Sequence, residues 1–371
     1  MTDTPEMTGT TGMTGPAAPS VFCTIIPPHI LNKLAEADDP ELSGPARRTL
    51  EADDSHRSRR RTAMAATARG DGGVSGPADP APRMPKRTIY DAGHGTQLPG
   101  TKVRAEGAQP SKDATVNRAY AGLGATFELY LKAYGRYSID GKGLALDASV
   151  HYDRQYNNAF WDGSQMVFGD GDGKMFLDFT IPVDVIGHEL THGVTQYTAN
   201  LAYSGQSGAL NESVSDVFGS LIKQYALGQT ADQADWLIGA GLLAPRVSGV
   251  ALRSMKAPGT AYDDPALGKD PQPGTMKGYV KTTDDNGGVH VNSGIPNHAF
   301  YLLADALGGK AWERAGQIWY DTLTGGDLAA DASFADFARL TVKAAQARFG
   351  SGDEQEAVTK AWSTVGVPTG A

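Results

Sequence analysis

A chain of 371 residues with 40% hydrophobic and 20% charged residues has globular composition, which excludes wholesale disorder. Its net charge of −9 lies entirely in residues 89–371, where 22 basic residues face 31 acidic ones, while residues 1–88 carry 11 of each. So acidic a body excludes a nucleic-acid binder, which needs a basic surface to displace counterions from phosphate. No stretch approaches the roughly 18 consecutive apolar residues of a membrane-spanning helix.

In chain order, residues 1–20 are a Thr/Gly/Met/Pro tract expected to form a disordered tail. The tract has no basic start, and the first apolar run, residues 21–26, stops at Pro27-Pro28. No secretory signal peptide is therefore expected, which implies a cytoplasmic location or export by a route without a Sec signal. The single cysteine, Cys23, cannot form an internal disulfide. Residues 21–34 make an apolar island, followed by a polar helical stretch to about residue 55 and a basic run, Arg57, Arg59, Arg60 and Arg61. Residues 62–87 have the Ala/Gly/Pro/Asp character of a solvated linker. An island tethered in this way reads as a pro-segment over 21–61. The plainer alternative is an N-terminal arm with no regulatory role.

From residue 88 the pattern is α+β: a β-rich N-terminal lobe, 88–181, and a mainly α-helical C-terminal lobe, 182–371. The spacing of Val116, Tyr120, Leu123, Phe127, Tyr130 and Leu131 predicts a helix over 113–133. Strands are expected at 144–152 and 165–168, the latter followed by a turn, 169–173, whose Asp170 and Asp172 by themselves call for no ion. Helices follow at 182–198, 208–226, 293–307, 311–323, 333–349 and 353–364. Pro182 suits the first turn of the first, and Ser333 can cap the fifth.

The chemistry enters at His188-Glu189-Leu190-Thr191-His192, an H-E-x-x-H pattern in a helical stretch. Residues four apart share a helical face, so two imidazoles can bind one metal while Glu189 reaches the metal's water without becoming a ligand. In the next helix Glu212 and Asp216 also share a face. Two His and a carboxylate form a catalytic zinc set with the fourth position left to water. Asp216 can accept a hydrogen bond from a ligand imidazole and fix its tautomer.

These segments resemble, in order, the thermolysin-like neutral metallopeptidases, from about Thr88 to the C-terminus. Asn158-Ala159-Phe160-Trp161 resembles the family's edge strand that pairs with substrate backbone. His188 to His192 resembles its zinc helix. Gly208-Ala209-Leu210-Asn211-Glu212-Ser213-Val214-Ser215-Asp216 is similar to the helix that carries the third ligand. Asp285-Asn286-Gly287-Gly288-Val289-His290-Val291-Asn292-Ser293-Gly294 is similar to the loop with the catalytic histidine. The resemblance implies one zinc ion on His188, His192 and Glu212, supported by Asp216 and Asn211, with Glu189 as general base. It makes His290 and Tyr203 the oxyanion donors and Asp285 the residue that orients His290. It further implies an apolar pocket of Phe176, Phe179, Val185, Ile238 and Leu252 for the residue after the scissile bond, with Arg253 near the substrate carbonyl. The expected activity is endopeptidase cleavage on the N-terminal side of large hydrophobic residues.

Two departures stand out. Where many family members hold a calcium pair among acids, this chain keeps Asp184 and Asp235 but has Lys223, Leu237 and Ala240 at other positions, so that site is expected to be lost. The large pro-domain of secreted members is missing. Residues 22–31 instead resemble the short pro-segment of the protealysin-like subgroup, implying a precursor activated by self-cleavage in the linker. Cys23 is a candidate inhibitory zinc ligand, against the plainer role of a small buried thiol. The partners implied are peptide or protein substrates and the pro-segment itself, with a proteinaceous inhibitor as a further candidate; neither nucleic acid nor a membrane is expected. Two other readings remain: a zinc aminopeptidase, for which no G-x-M-E-N-like segment is found, and a non-catalytic zinc protein whose pro-segment stays docked.

Overall fold

The computed structural model describes residues 23–67 and 83–370, with side chains of 57–67 left aside. The expected tail and most of the expected linker, with its cleavage point, lie outside the described residues. Two helices open the chain, α1 (Pro28–Ala35) and α2 (Pro40–Thr67). Helix α2 runs six residues beyond the expected end of the pro-segment at 61. Ala63, Met64, Ala65 and Ala66 explain the difference, since these strong helix formers carry the helix into what composition alone read as linker.

The β-rich lobe is a five-stranded mixed sheet in the order β2 (Thr101–Ala105), β1 (Arg87–Asp91), β3 (Leu146–Val150), β5 (Met166–Phe168), β4 (Ala159–Trp161). Strands β1, β3 and β5 are parallel, and the two outer strands are antiparallel to their neighbours. The helix expected at 113–133 is α3 (Ala114–Tyr134), capped by the Asp113 carboxylate, which accepts from the Thr115 N–H at 2.8 Å. Its Gly122 and Gly124 let Ile186 and Arg87 approach the backbone.

Next come α4 (Val183–Gln196) and α5 (Gly205–Leu227), then the two-residue strands β6 (Leu237–Ile238), β7 (Arg253–Ser254), β8 (Asp263–Asp264) and β9 (Gly268–Lys269). Pairs this short leave no periodic trace in a sequence. The helical lobe closes with α6 (Asp285–Asn292), α7 (Gly294–Leu307), α8 (Ala315–Thr324), α9 (Phe334–Phe349) and α10 (Asp353–Thr364), each of the last four within four residues of its expected limits. Pro182 sits one residue before α4, as its cap. Ser333 caps α9 in a reciprocal box with Asp336. Trp319 and Trp362 stack with ring centroids 5.8 Å apart and bind α8 to α10.

One apolar core spans both lobes, and α4 runs through it with residues 184–195 all buried. A helix buried on every side is ordinarily apolar, yet this one carries His188, Glu189 and His192. Its approach to α5 is set by two glycines. A Cβ on Gly219 would lie 2.5 Å from the Asp184 carbonyl oxygen, and one on Gly187 would lie 2.6 Å from the Ile222 side chain. Gly219→Ala should therefore push the helices apart and destabilise the fold by about 1–3 kcal/mol, the usual cost of overpacking. A urea titration of both proteins checks this, an unchanged midpoint being the contrary result.

Candidate active site

Helices α4 and α5 bring His188, His192 and Glu212 together in a buried cluster. The Nδ1 of His188 bonds Asp216 at 2.7 Å and the Nδ1 of His192 bonds Asn211 Oδ1 at 2.8 Å. Both acceptors hold the proton on Nδ1, so two bare Nε2 lone pairs face each other 3.0 Å apart. Glu212 lies 3.6–3.7 Å from these nitrogens, and its Oε2 has no hydrogen-bond partner among the described residues. Lone pairs and a carboxylate converging without a proton between them demand a cation, and two imidazoles with one carboxylate suit zinc. Burial, the largest influence, brings His192 down to about 3, keeping it neutral as a metal ligand must be. Burial opposes ionisation of Glu212, but His290, His192 and His188 outweigh it and hold the carboxyl down at about 2.

The next layer is equally closed. Asp216 accepts from Arg253 Nε and Nη2, each at 2.8 Å, and from the Asn297 amide at 2.8 Å. Burial works against the Asp216 charge, yet Arg253 and His188 prevail and keep it below the ordinary carboxylate range. Asn297, and Ser215 at 3.0 Å from His192 Nδ1, were not singled out by sequence reasoning. Each is a common helix residue with no spacing signal of its own.

Glu189 is buried beside the cluster. Its Oε2 accepts from the Trp161 N–H at 3.2 Å, and its Oε1 has no partner among the described residues. Burial, then the Glu212 charge, raises its pKa well above the usual range, so this carboxylate is driven to take up a proton. Opposite it, Asp285 binds His290 Nδ1 at 2.7 Å. Burial disfavours the His290 charge, but Asp285 and Glu212 raise it to about 9, making Nε2 a donor at neutral pH. The supporting turn is unusual: residues 285–288 all have positive φ, from 49° to 89°. Asn tolerates that region better than most, while Gly287 and Gly288 bear no Cβ penalty there. Tyr203 completes this side, its hydroxyl donating to Glu212 and lying 3.3 Å from His290 Nε2.

The cleft between these groups is filled by the start of the pro-segment. The Ile25 N–H donates to the Ala159 carbonyl at 3.2 Å and the Ile26 N–H to Asn158 Oδ1 at 2.9 Å, which lays these residues against the β4 edge of the sheet. Arg253 donates to the Ile25 carbonyl at 3.1 Å, and His290 Nε2 lies 3.2 Å from the Thr24 carbonyl. Cys23 Sγ lies 2.7 Å from Glu212 Oε1 and 2.8 Å from the Tyr203 hydroxyl, and its sulfur and the His188, His192 and Glu212 ligand atoms all fall within 4.8 Å of one another. Without a metal, burial and the Glu212 and Glu189 charges push the thiol up, well above its ordinary pKa. Phe176, Phe179, Val185, Ile238 and Leu252 are buried in the same core as Ile25 and Ile26. Phe160 points to the opposite face of β4, where it packs on His56 of α2 and on Tyr152. On that face Asp53 of α2 accepts from Tyr156 and, at 3.0 Å, from the Asn158 amide. Beyond the site, Lys223 Nζ lies 2.7 Å from Asp184, 2.8 Å from Asp235 and 2.8 Å from the Leu237 carbonyl.

Comparison with known proteins agrees with this geometry. Residues 78–196 match the family described as thermolysin metallopeptidase, catalytic domain, and residues 199–367 its alpha-helical domain. The chain belongs to the thermolysin metallopeptidase family. It is 52% identical over 354 residues to an extracellular metalloprotease of Pectobacterium carotovorum subsp. carotovorum, spanning 93% of this chain and 96% of that one. It is 56% identical to Protease PrtS of Photorhabdus sp. (strain Az29) over 76% of each chain. The solved precursor of protealysin, a metalloproteinase from Serratia proteamaculans, superposes with a TM-score of 0.83 at 52% identity, covering 93% of this chain and 99% of that one. This thermolysin-family member is a protealysin-type zinc metalloendopeptidase made as a precursor. Asp216→Asn should leave Arg253 buried beside an uncharged amide and free the His188 tautomer. Zinc affinity should fall roughly 10- to 100-fold and stability by about 3–5 kcal/mol, measured by zinc retained through dialysis and by denaturant unfolding.

Proposed function

We propose that this peptidase cleaves on the N-terminal side of large hydrophobic residues and that Cys23 and the β4-paired residues after it keep the precursor silent. The observation that supports this most directly is the path of residues 23–26, whose backbone lies along β4 as a substrate would, with the Thr24 carbonyl at His290 and the Ile25 carbonyl at Arg253. Zinc held by His188, His192 and Glu212 would polarise the scissile carbonyl and acidify a water to a pKa of about 7. The Glu189 carboxylate, made a stronger base by burial, would take the proton from that water and pass it to the leaving amine. His290, held charged by Asp285, and Tyr203 donate to the oxyanion. Asn158, Ala159 and Arg253 bind substrate backbone, and Trp161 holds Glu189 in place through its N–H. The apolar wall of Phe176, Phe179, Val185, Ile238 and Leu252 then selects a hydrophobic residue after the scissile bond.

In the precursor, Cys23 would be the fourth ligand, a reading its approach to the His188, His192 and Glu212 ligand atoms supports. A metal-bound thiol gives up its proton outright, so the thiolate would take the place of water while Thr24 to Ile26 block the cleft. The same surface is what a proteinaceous inhibitor would have to cover. The calcium pair of other family members is replaced by an internal cation, Lys223, whose contacts with Asp184 and Asp235 support the loss. The non-catalytic reading is not favoured, since Glu189, His290 and Tyr203 surround the metal cluster intact. An aminopeptidase would need acids to hold a free amine, and residues 23–26 cross the cleft without one.

The test follows mass and N-terminal sequence of the full chain and its Glu189→Ala variant during incubation. The parent should trim itself between residues 61 and 90, while the variant stays full length, retains the catalytic zinc equally and loses roughly 10²–10⁴ in kcat/KM on blocked peptides. If both stay intact, and the chain without residues 1–87 cleaves no peptide, the peptidase mechanism fails. Cys23→Ser should leave residues 24–26 in the cleft but loosen the block, so the precursor trims itself faster than the parent, whereas equal trimming rates remove the thiol's role. With zinc kept saturating, added calcium should leave Tm unchanged, whereas an ion bound at a hundred times its Kd would stabilise the fold by about 2.7 kcal/mol.

A further inference from the structure

The three parallel strands of the sheet end side by side, and within three residues of each end stands a metal-binding side chain. His94 follows β1, His151 follows β3 and Asp170 follows β5. Their ligand atoms lie within 4.8 Å of one another. His151 Nδ1 is 2.9 Å and His94 Nδ1 is 3.4 Å from the Asp170 carboxylate. A tetrahedral ion with bonds of about 2.0–2.2 Å spaces its ligands about 3.2–3.6 Å apart, and both histidine-to-carboxylate spacings lie within a few tenths of an ångström of that range.

The surroundings are arranged as metal sites are. His151 Nε2 bonds Asp113 Oδ2 at 2.8 Å, a carboxylate behind an imidazole that would fix the tautomer with its free lone pair at Nδ1. Asp113 is itself held as the cap of α3. The two histidine loops are zipped together, His94 N–H to the His151 carbonyl at 2.8 Å and Asp153 N–H to the Gly95 carbonyl at 3.0 Å. Both histidines adopt left-handed backbone, φ 58° and 53°, which carries their rings over the strand ends. Charge fits as well. With His151 protonated, two carboxylates leave the cluster one negative charge short of neutrality, and a divalent ion with neutral imidazoles balances it.

We propose that His94, His151 and Asp170 form a second metal site, separate from the catalytic cluster, for a borderline divalent transition ion such as Zn²⁺, Co²⁺ or Ni²⁺. Two nitrogen donors disfavour calcium and magnesium, which take oxygen. His94 is about half exposed, 54% for its side chain, so the ion keeps open positions to water and exchanges with solvent. Its effect is to staple three strand ends. The Asp170 turn in turn holds the strand that reads substrate, through Gly169 N–H to the Asn158 carbonyl at 3.0 Å.

The experiment dialyses the untagged full chain against Zn²⁺ or Co²⁺ and counts bound metal by elemental analysis, alongside Tm. The parent should hold two ions and gain Tm on filling the second. His94→Ala should hold one, keep its peptidase activity and lose that gain in Tm. Asp113→Asn, which can still cap α3, should weaken the second ion roughly 10- to 100-fold. His151→Gln is a further variant with the same expected loss, read beside far-UV circular dichroism. A parent that binds a single ion, or a His94→Ala protein that still binds two, overturns the proposal and leaves the cluster as an imidazolium between two carboxylates.

Discussion

The structure turns on one constraint: two imidazoles and a carboxylate must meet in the centre of a protein, away from water. Bare lone pairs 3.0 Å apart repel unless a cation lies between them. Everything around them serves that encounter. Gly187 and Gly219 let α4 and α5 approach closely enough for Glu212 to reach the histidines. Asp216 and Asn211 fix the two tautomers. Arg253 and Asn297 then neutralise and bind Asp216, so the outer carboxylate is not left as an unpaired charge in a low dielectric. The helix carrying this set is buried all round, and its polar residues are tolerated because each finds a partner, a metal ligand's role or a proton to exchange.

The same economy explains how the precursor is closed. A sheet edge with free N–H and C=O groups is what an extended substrate binds, and an edge left open is also a hazard. Here Ile25 takes up the Ala159 carbonyl of β4 and Ile26 the Asn158 side chain beside it, both from the same chain. Arg253 serves both sides, holding Asp216 behind the metal and the Ile25 carbonyl in front of it. Helix α2 grips the far face of the strand, where Asp53 bonds the amide end of the Asn158 side chain whose oxygen receives the pro-segment. The pro-segment is thus bound by the groups that would bind substrate, reinforced from behind by contacts no substrate makes.

A buried cation gathers acidic groups elsewhere in the fold. The Lys223 ammonium sits among Asp184, Asp235 and the Leu237 carbonyl. Desolvation works against the ammonium, but the two carboxylates outweigh it and raise its pKa, keeping it charged.

The sequence by itself determined six helices of the C-terminal lobe, the zinc-ligand pattern and the candidate general base, while the edge strand was legible only through family resemblance. The first three are written in local spacing: histidines four positions apart, alternating or 3.6-fold apolar positions, a Ser333 cap. It also marked Lys223 as a charge where acids were expected. Only the tertiary structure decided the length of α2, where helix propensity outran a linker-like composition, and the two-residue strands, which are too short to show a period. It alone turned Phe160 away from the cleft towards His56, since neighbouring residues of a strand face opposite sides. Asn297, Ser215 and Asp53 act across gaps of tens of residues or more, with no signature in the chain. The same holds for His94, His151 and Asp170, which lie in three separate turns and become neighbours because three parallel strands end together. Spacing along a chain specifies what one helix or strand presents; what several of them bring to one point is decided by packing.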